Sequence, residues 1–187
     1  AHYQALDLQM ELDRNTIPFI ITSGIRFFEQ AHVRDIIAQI RFVCNTQDTS
    51  AFIRFSSLLP RIGEGTASKL YKKITTSAIQ NKTSILDAML EDKVIPTGAA
   101  SEEWKELVQT LQEINQAVCN ETPHKAVQKA VQGWYSSFIR NIYPNWETRL
   151  DDLESLIGFA SRFENMTDLL AQLVLLNSET SDRSIET

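Results

Sequence analysis

The sequence predicts an all-α, multi-helix domain with one short orphan strand near its N-terminus. Three observations lead there. From Ala31 onward the apolar residues recur with a period near 3.6, the spacing of a buried helical stripe. Only six Gly and five Pro occur in 187 residues, too few for a turn-rich all-β fold. Pro, Gly and short polar side chains also fall between the periodic stretches, where they start and stop helices. Hydrophobic residues make up 43% of the chain, enough for a substantial core.

In chain order, residues 3–14 form a polar-rich helix carrying Leu6, Leu8, Met10 and Leu12. Residues 17–22, Ile-Pro-Phe-Ile-Ile-Thr, have the short apolar character of a strand inside a parallel sheet. One lone strand is not stable, so its sheet partners are expected outside this chain. Val33, Ile36, Ile37, Ile40, Val43 and Cys44 line one side of the next helix, with Cys44 expected as a small buried hydrophobe. Asp48 or Thr49 caps a helix over 51–58, which Pro60 stops. Leu70, Ile74 and Ala78 share a stripe on a helix over 64–79. Thr83-Ser84 caps a short helix reaching Leu90, and Pro96-Thr97-Gly98 breaks the chain. A helix starting at Ser101 carries Trp104, Leu107, Val108, Leu111, Ile114 and Val118. Thr122-Pro123 is an N-cap with Pro at the first helical position, opening one helix that carries Val127, Val131, Trp134, Phe138 and Ile142 and ends at Pro144. Helices over 146–163 and 166–176 follow, and residues 177–187 are a polar, loose tail.

Several functions are excluded. No apolar run reaches the roughly 18 residues of a membrane span, and the N-terminus has no signal-peptide character. The chain lacks an initiator Met and enters helical pattern at once, as expected of an excised or processed piece. Cys44 and Cys119 have neither CxxC spacing nor a paired His, which fits a reduced cytoplasmic setting. There is no Gly-Lys dipeptide, hence no phosphate-cradling P-loop, and no Gly-x-Ser-x-Gly. His2, His32 and His124 are isolated, so no metal site is expected. Asp151-Asp152 and Glu102-Glu103 lie near helix starts, where they meet the positive end of the helix dipole rather than form an acid/base pair. No self-contained active site and no bound cofactor are expected.

The net charge of −6 resides in residues 145–187, which hold nine acids and three bases; residues 1–144 are neutral. Non-specific DNA binding by the whole surface is therefore disfavoured, but a local basic patch is not. One such patch exists. Residues 59–70 read Leu-Pro-Arg-Ile-Gly-Glu-Gly-Thr-Ala-Ser-Lys-Leu, between two predicted helices. An apolar-Pro-x-Ile-Gly turn before a helix resembles the hairpin of helix-hairpin-helix DNA-binding motifs. Glycines admit a phosphate to the backbone, and the free N–H groups of the next helix donate to it. Arg61, Lys69, Lys72 and Lys73 face the single acid Glu64 there, a local charge of +3. The candidate phosphate-contacting residues are Arg61, Gly63, Gly65, Thr66, Lys69, Lys72 and Lys73. The same residues also fit an ordinary tight turn between packed helices, with the lysines on the wet face.

The order of motifs extends this. Ala1-His2-Tyr3-Gln4 and Ile17-Pro18-Phe19 are followed by Ser23-Gly24-Ile25-Arg26-Phe27-Phe28-Glu29-Gln30-Ala31-His32-Val33-Arg34-Asp35, then by Leu59-Pro60-Arg61-Ile62-Gly63. The series is similar, element by element, to the UvrD/Rep/PcrA helicases of superfamily 1. Ser23 and Arg61 stand where that family has Gly, and His32 where it has Glu. The likeness is dense over residues 1–75 and looser over 101–187. It implies that residues 1–30 are the edge of the second motor domain (2A-like) and 31–176 its helical insertion (2B-like), with Thr187 falling just before the family's next helicase motif. The parent would move 3′ to 5′ on single-stranded DNA, driven by ATP with Mg, and unwind duplex. The insertion would swivel, contact duplex or forked DNA through Ile-Gly turns, and act on the parent's own motor domains. The ATP-binding loop, magnesium-binding acids and arginine finger would lie outside this chain, so no catalytic residue carries over. The alternative is a helical regulatory or protein-docking module with no DNA binding of its own, which the acidic end favours.

Overall fold

The computed structural model describes residues 10–12, 14–15, 27–120 and 122–182. The expected strand lies outside these residues, as does most of the expected N-terminal helix, of which 10–12 and 14 are helical. Among the described residues there is no strand. Among the described residues, a 3-10 turn, Phe27–Glu29, leads into nine α-helices: α1 Ala31–Cys44, α2 Thr49–Ser56, α3 Glu64–Asn81, α4 Ile85–Ala88, α5 Ala100–Asn120, α6 Pro123–Gln132, α7 Trp134–Ile142, α8 Trp146–Ala160 and α9 Met166–Asp182. The all-α, multi-helix expectation holds. None of the described helices is long and apolar enough to cross a membrane.

The sequence marks most helix starts correctly. The Asp48 side chain accepts from the backbone N–H of Ala51 at 2.9 Å and caps α2. Ser84 does the same for α4 through the N–H of Asp87. Thr122 precedes Pro123 at the start of α6, although its side chain makes no capping bond. Glu102 and Glu103 sit in the first turn of α5, as their dipole reading requires.

α1 is central. It packs against α2, α5, α6, α8 and the 3-10 turn. The expected one-sided stripe is in fact burial nearly all round, including His32, Asp35 and Gln39. A helix enclosed in this way must find partners for its polar groups inside the protein. Cys44 is exposed, not buried, because α1 ends there and the chain turns into solvent. Beside α1, the rings of Phe42, Phe52 and Phe55 pack within 5.4–5.5 Å of one another. Trp104 of α5 joins them and donates its indole N–H to the carbonyl of Met89 at 2.9 Å, so a fully buried indole leaves no polar group unpaired.

One expectation fails instructively. The single helix expected to run from Pro123 to Pro144 is two, α6 and α7, broken at Gly133. The Thr110 hydroxyl of α5 accepts from the N–H of Trp134 at 2.9 Å and donates to the carbonyl of Glu106. It takes the place of an intrahelical acceptor. A Cβ on residue 133 would lie 2.4 Å from Thr110 Oγ1, so only glycine permits the approach. At the C-terminal end α8 stops at Ala160, short of residue 163, and α9 runs past Leu176 to Asp182.

Candidate nucleic-acid interface

α2 and α3 pack on each other and are joined by residues 57–63. Leu59 and Ile62 are buried and pin this connection to the core, and the N–H of Ile62 bonds the carbonyl of Leu59 at 3.1 Å. Between them Arg61 is exposed and left-handed, at φ 61°. A side chain at such a φ costs roughly 1–2 kcal/mol, a cost glycine does not incur. The turn thus keeps a glycine-like backbone with an arginine on it.

Gly63 caps α3 without a side-chain bond, and its carbonyl accepts the first helical bond, from the N–H of Ala67 at 2.9 Å. The N–H groups of Glu64, Gly65 and Thr66 therefore open the helix with no acceptor inside it. Gly63 has an ordinary negative φ, and a Cβ at Gly63 or Gly65 would meet nothing within 4 Å. Neither glycine is demanded by the packing of this chain. A glycine inside a helix costs about 1 kcal/mol relative to alanine, so Gly65 weakens α3 with no internal compensation.

Arg61, Gly63, Gly65, Thr66, Lys69, Lys72 and Lys73 are all exposed. Gly65, Lys69, Lys72 and Lys73 fall at the i, i+4, i+7, i+8 spacing of one helix face. Ala67, Leu70, Ile74 and Ala78 occupy the opposite, buried face. Tyr71 fixes this orientation by donating to the carbonyl of Thr46 at 2.8 Å and packing against Phe52. Among the described ion pairs none involves Arg61, Lys69, Lys72 or Lys73, so their charge faces solvent. Glu64 is the one carboxylate in the first turn of α3, where it competes with any incoming anion.

Residues 1–186 match the model of the UvrD-like helicase C-terminal domain. The chain belongs to that family. It is similar to the ATP-dependent DNA helicase Rep of Salmonella typhimurium, 28% identical over 174 residues, which is 90% of this chain and 24% of the relative. It is likewise similar to DNA helicase II of Haemophilus influenzae, 29% identical over 192 residues, covering 96% of the chain and 26% of that protein. Against the ATP-dependent DNA helicase PcrA of Staphylococcus epidermidis the identity is 23% over 179 residues, 92% of the chain and 24% of the relative. The chain spans about a quarter of the length of these curated relatives.

This UvrD-like domain also contains two buried polar clusters that sequence spacing does not show. In the first, Asp35 of α1 meets Arg54 of α2 at 2.7 Å and accepts from the hydroxyl of Tyr135 of α7 at 2.8 Å. Burial raises the Asp35 carboxyl above its ordinary value and outweighs the opposing pull of Arg54. The Tyr135 phenol is held protonated by burial and by Asp35. In the second, His32 of α1 lies between Asp152 and Arg149 of α8, at 3.2 Å and 2.8 Å. His32 is therefore not isolated. Asp152 is not a solvated helix-start acid, although Asp151 beside it is exposed. Partners 120 and 117 residues apart leave no local signal to find them by.

Proposed function

We propose that this chain is the accessory, 2B-like part of an ATP-dependent 3′–5′ DNA helicase, gripping duplex DNA by its backbone and regulating unwinding by the motor. Residues 1–30 belong in this view to the edge of the second motor domain and 31–176 to the insertion, with ATP and Mg bound by motor parts outside this chain. A cytoplasmic setting belongs to the same proposal. Family membership and the helicase names of the relatives support the parent activity.

One observation carries the DNA contact: α3 opens with free N–H groups between two glycines whose Cβ positions are empty, beside a row of three exposed lysines. Helix-start amides take a phosphate oxygen, the empty Cβ positions let the phosphate reach them, and Lys69, Lys72 and Lys73 take neighbouring phosphates. Every such contact is to the backbone, so the grip is independent of base sequence. Arg61, held outward by its left-handed backbone, adds a forked donor suited to phosphate.

A fluorescent forked duplex titrated with the domain tests this, alongside Gly63→Asp and the double variant Lys69→Glu/Lys73→Glu. The expected outcome is salt-sensitive binding abolished by both changes. A domain shown folded by circular dichroism that binds no fork at low salt would leave the second possibility, a regulatory or docking module. The acidity of residues 145–187 favours that possibility.

A further inference from the structure

A buried histidine lies in the contact between α1 and α8. His32 is fully buried and both ring nitrogens are engaged across the interface. Arginine has only donors, so with Arg149 Nη1 at 2.8 Å, Nδ1 must offer its lone pair. The ring is then neutral, with its hydrogen on Nε2 and donated to Asp152 Oδ2. We propose that His32 is a proton-operated latch between α1 and α8: neutral, it ties Arg149 and Asp152 to α1; protonated at Nδ1, it repels the Arg149 guanidinium and lets α8 come away.

The charges acting on the ring are those of Asp152 and Arg149. Asp35, on the same helix, is engaged by Arg54 of α2 and Tyr135 of α7. Glu29 of the 3-10 turn is half-buried and makes no described ion pair with the ring. Tyr143, which follows α7, lies against Arg149, whose guanidinium carbon is 3.9 Å from that ring centre. Arg149 Nε also donates to Asn145 Oδ1 at 3.2 Å, so the guanidinium has contacts besides His32.

The sign is set by burial, which lowers the His32 pKa in the latched form despite the pull of Asp152. The detached form takes its proton near the ordinary value of about 6.5. The latch is complete above that pH and weakens as pH falls towards the latched-state value. Within that window each pH unit favours opening by up to about tenfold.

Nitrogen-15 spectra of the histidine rings and amide hydrogen exchange of the full 187-residue chain, from pH 8 to pH 5, test the latch. At pH 8 His32 should appear as the neutral Nε2–H tautomer. Below about pH 6.5, once the intrinsic exchange rate is corrected for, α8 amides should lose protection by up to about tenfold per pH unit while those of α2 hold. His32→Gln, whose amide retains one donor and one acceptor, should abolish that pH dependence. An Nδ1–H tautomer or a charged ring at pH 8 would overturn the proposal, as would an equal loss of α8 protection in His32→Gln. Should that variant not fold, the wild-type chain still decides, because α8 protection that does not change between pH 8 and pH 5 would overturn the proposal.

Discussion

The turn between α2 and α3 and the polar interior around α1 are opposites. Around α1, the buried titratable side chains each meet a counterpart: Asp35 with Arg54 and Tyr135, His32 with Asp152 and Arg149. At the start of α3 everything polar faces outward and the basic residues have no described ion pair. The interior clusters have a structural account in this chain alone. The two glycines and the lysine row do not, since neither packing nor backbone conformation requires them. That contrast separates side chains that hold the fold from those available to a partner.

Substitutions that confuse the two regions should break it, the largest effect coming from the interior. Arg54→Met leaves Asp35, 3% exposed, without its cation. Losing one partner of a buried pair costs about 3 kcal/mol or more, and a urea midpoint would show it. Gly133→Ala forces a methyl against Thr110 and should cost about 1–3 kcal/mol. Thr110→Ala in the same chain removes the obstructing hydroxyl and methyl and should recover part of that loss, read by thermal melting. Gly65→Ala has the opposite sign, raising stability by up to about 1 kcal/mol because its Cβ enters empty space on a helix. It should nevertheless weaken fork binding, since the methyl stands where a phosphate must approach. Glu64→Gln is the smallest change, tightening fork binding by about 0.3–1 kcal/mol through loss of a competing anion. A Gly65→Ala domain that binds a fork undiminished would detach that glycine from any contact.

How much of this was legible depended on distance along the chain. α1 and α5 follow from apolar spacing, and the caps at Asp48 and Ser84 follow from residues within one turn of the helices they start. The candidate interface is equally local: its residues span 61–73, so their grouping and shared face survive translation into structure. The break at Gly133 was illegible because a single glycine is tolerated inside a helical pattern, and its cause, Thr110, lies 24 residues away on another helix. His32 looked isolated for the same reason, its partners being on α8. Cys44 keeps helical phase with Val33 and Ile40, but phase cannot tell that the neighbouring helices stop covering α1 at its last residue. Arg61 in a left-handed backbone was also invisible, since the residue type argues against that φ.

The central claim, that α3 offers its open end and lysine row to a DNA backbone, is tested most directly by salt. The dissociation constant for a forked duplex, measured over a series of salt concentrations, should rise with salt with a log–log slope of about +3 for three lysine–phosphate contacts. Lys69→Glu/Lys73→Glu should flatten the slope and weaken binding at every salt concentration. Binding that ignores both salt and the double substitution, in a domain that remains helical, would contradict the account.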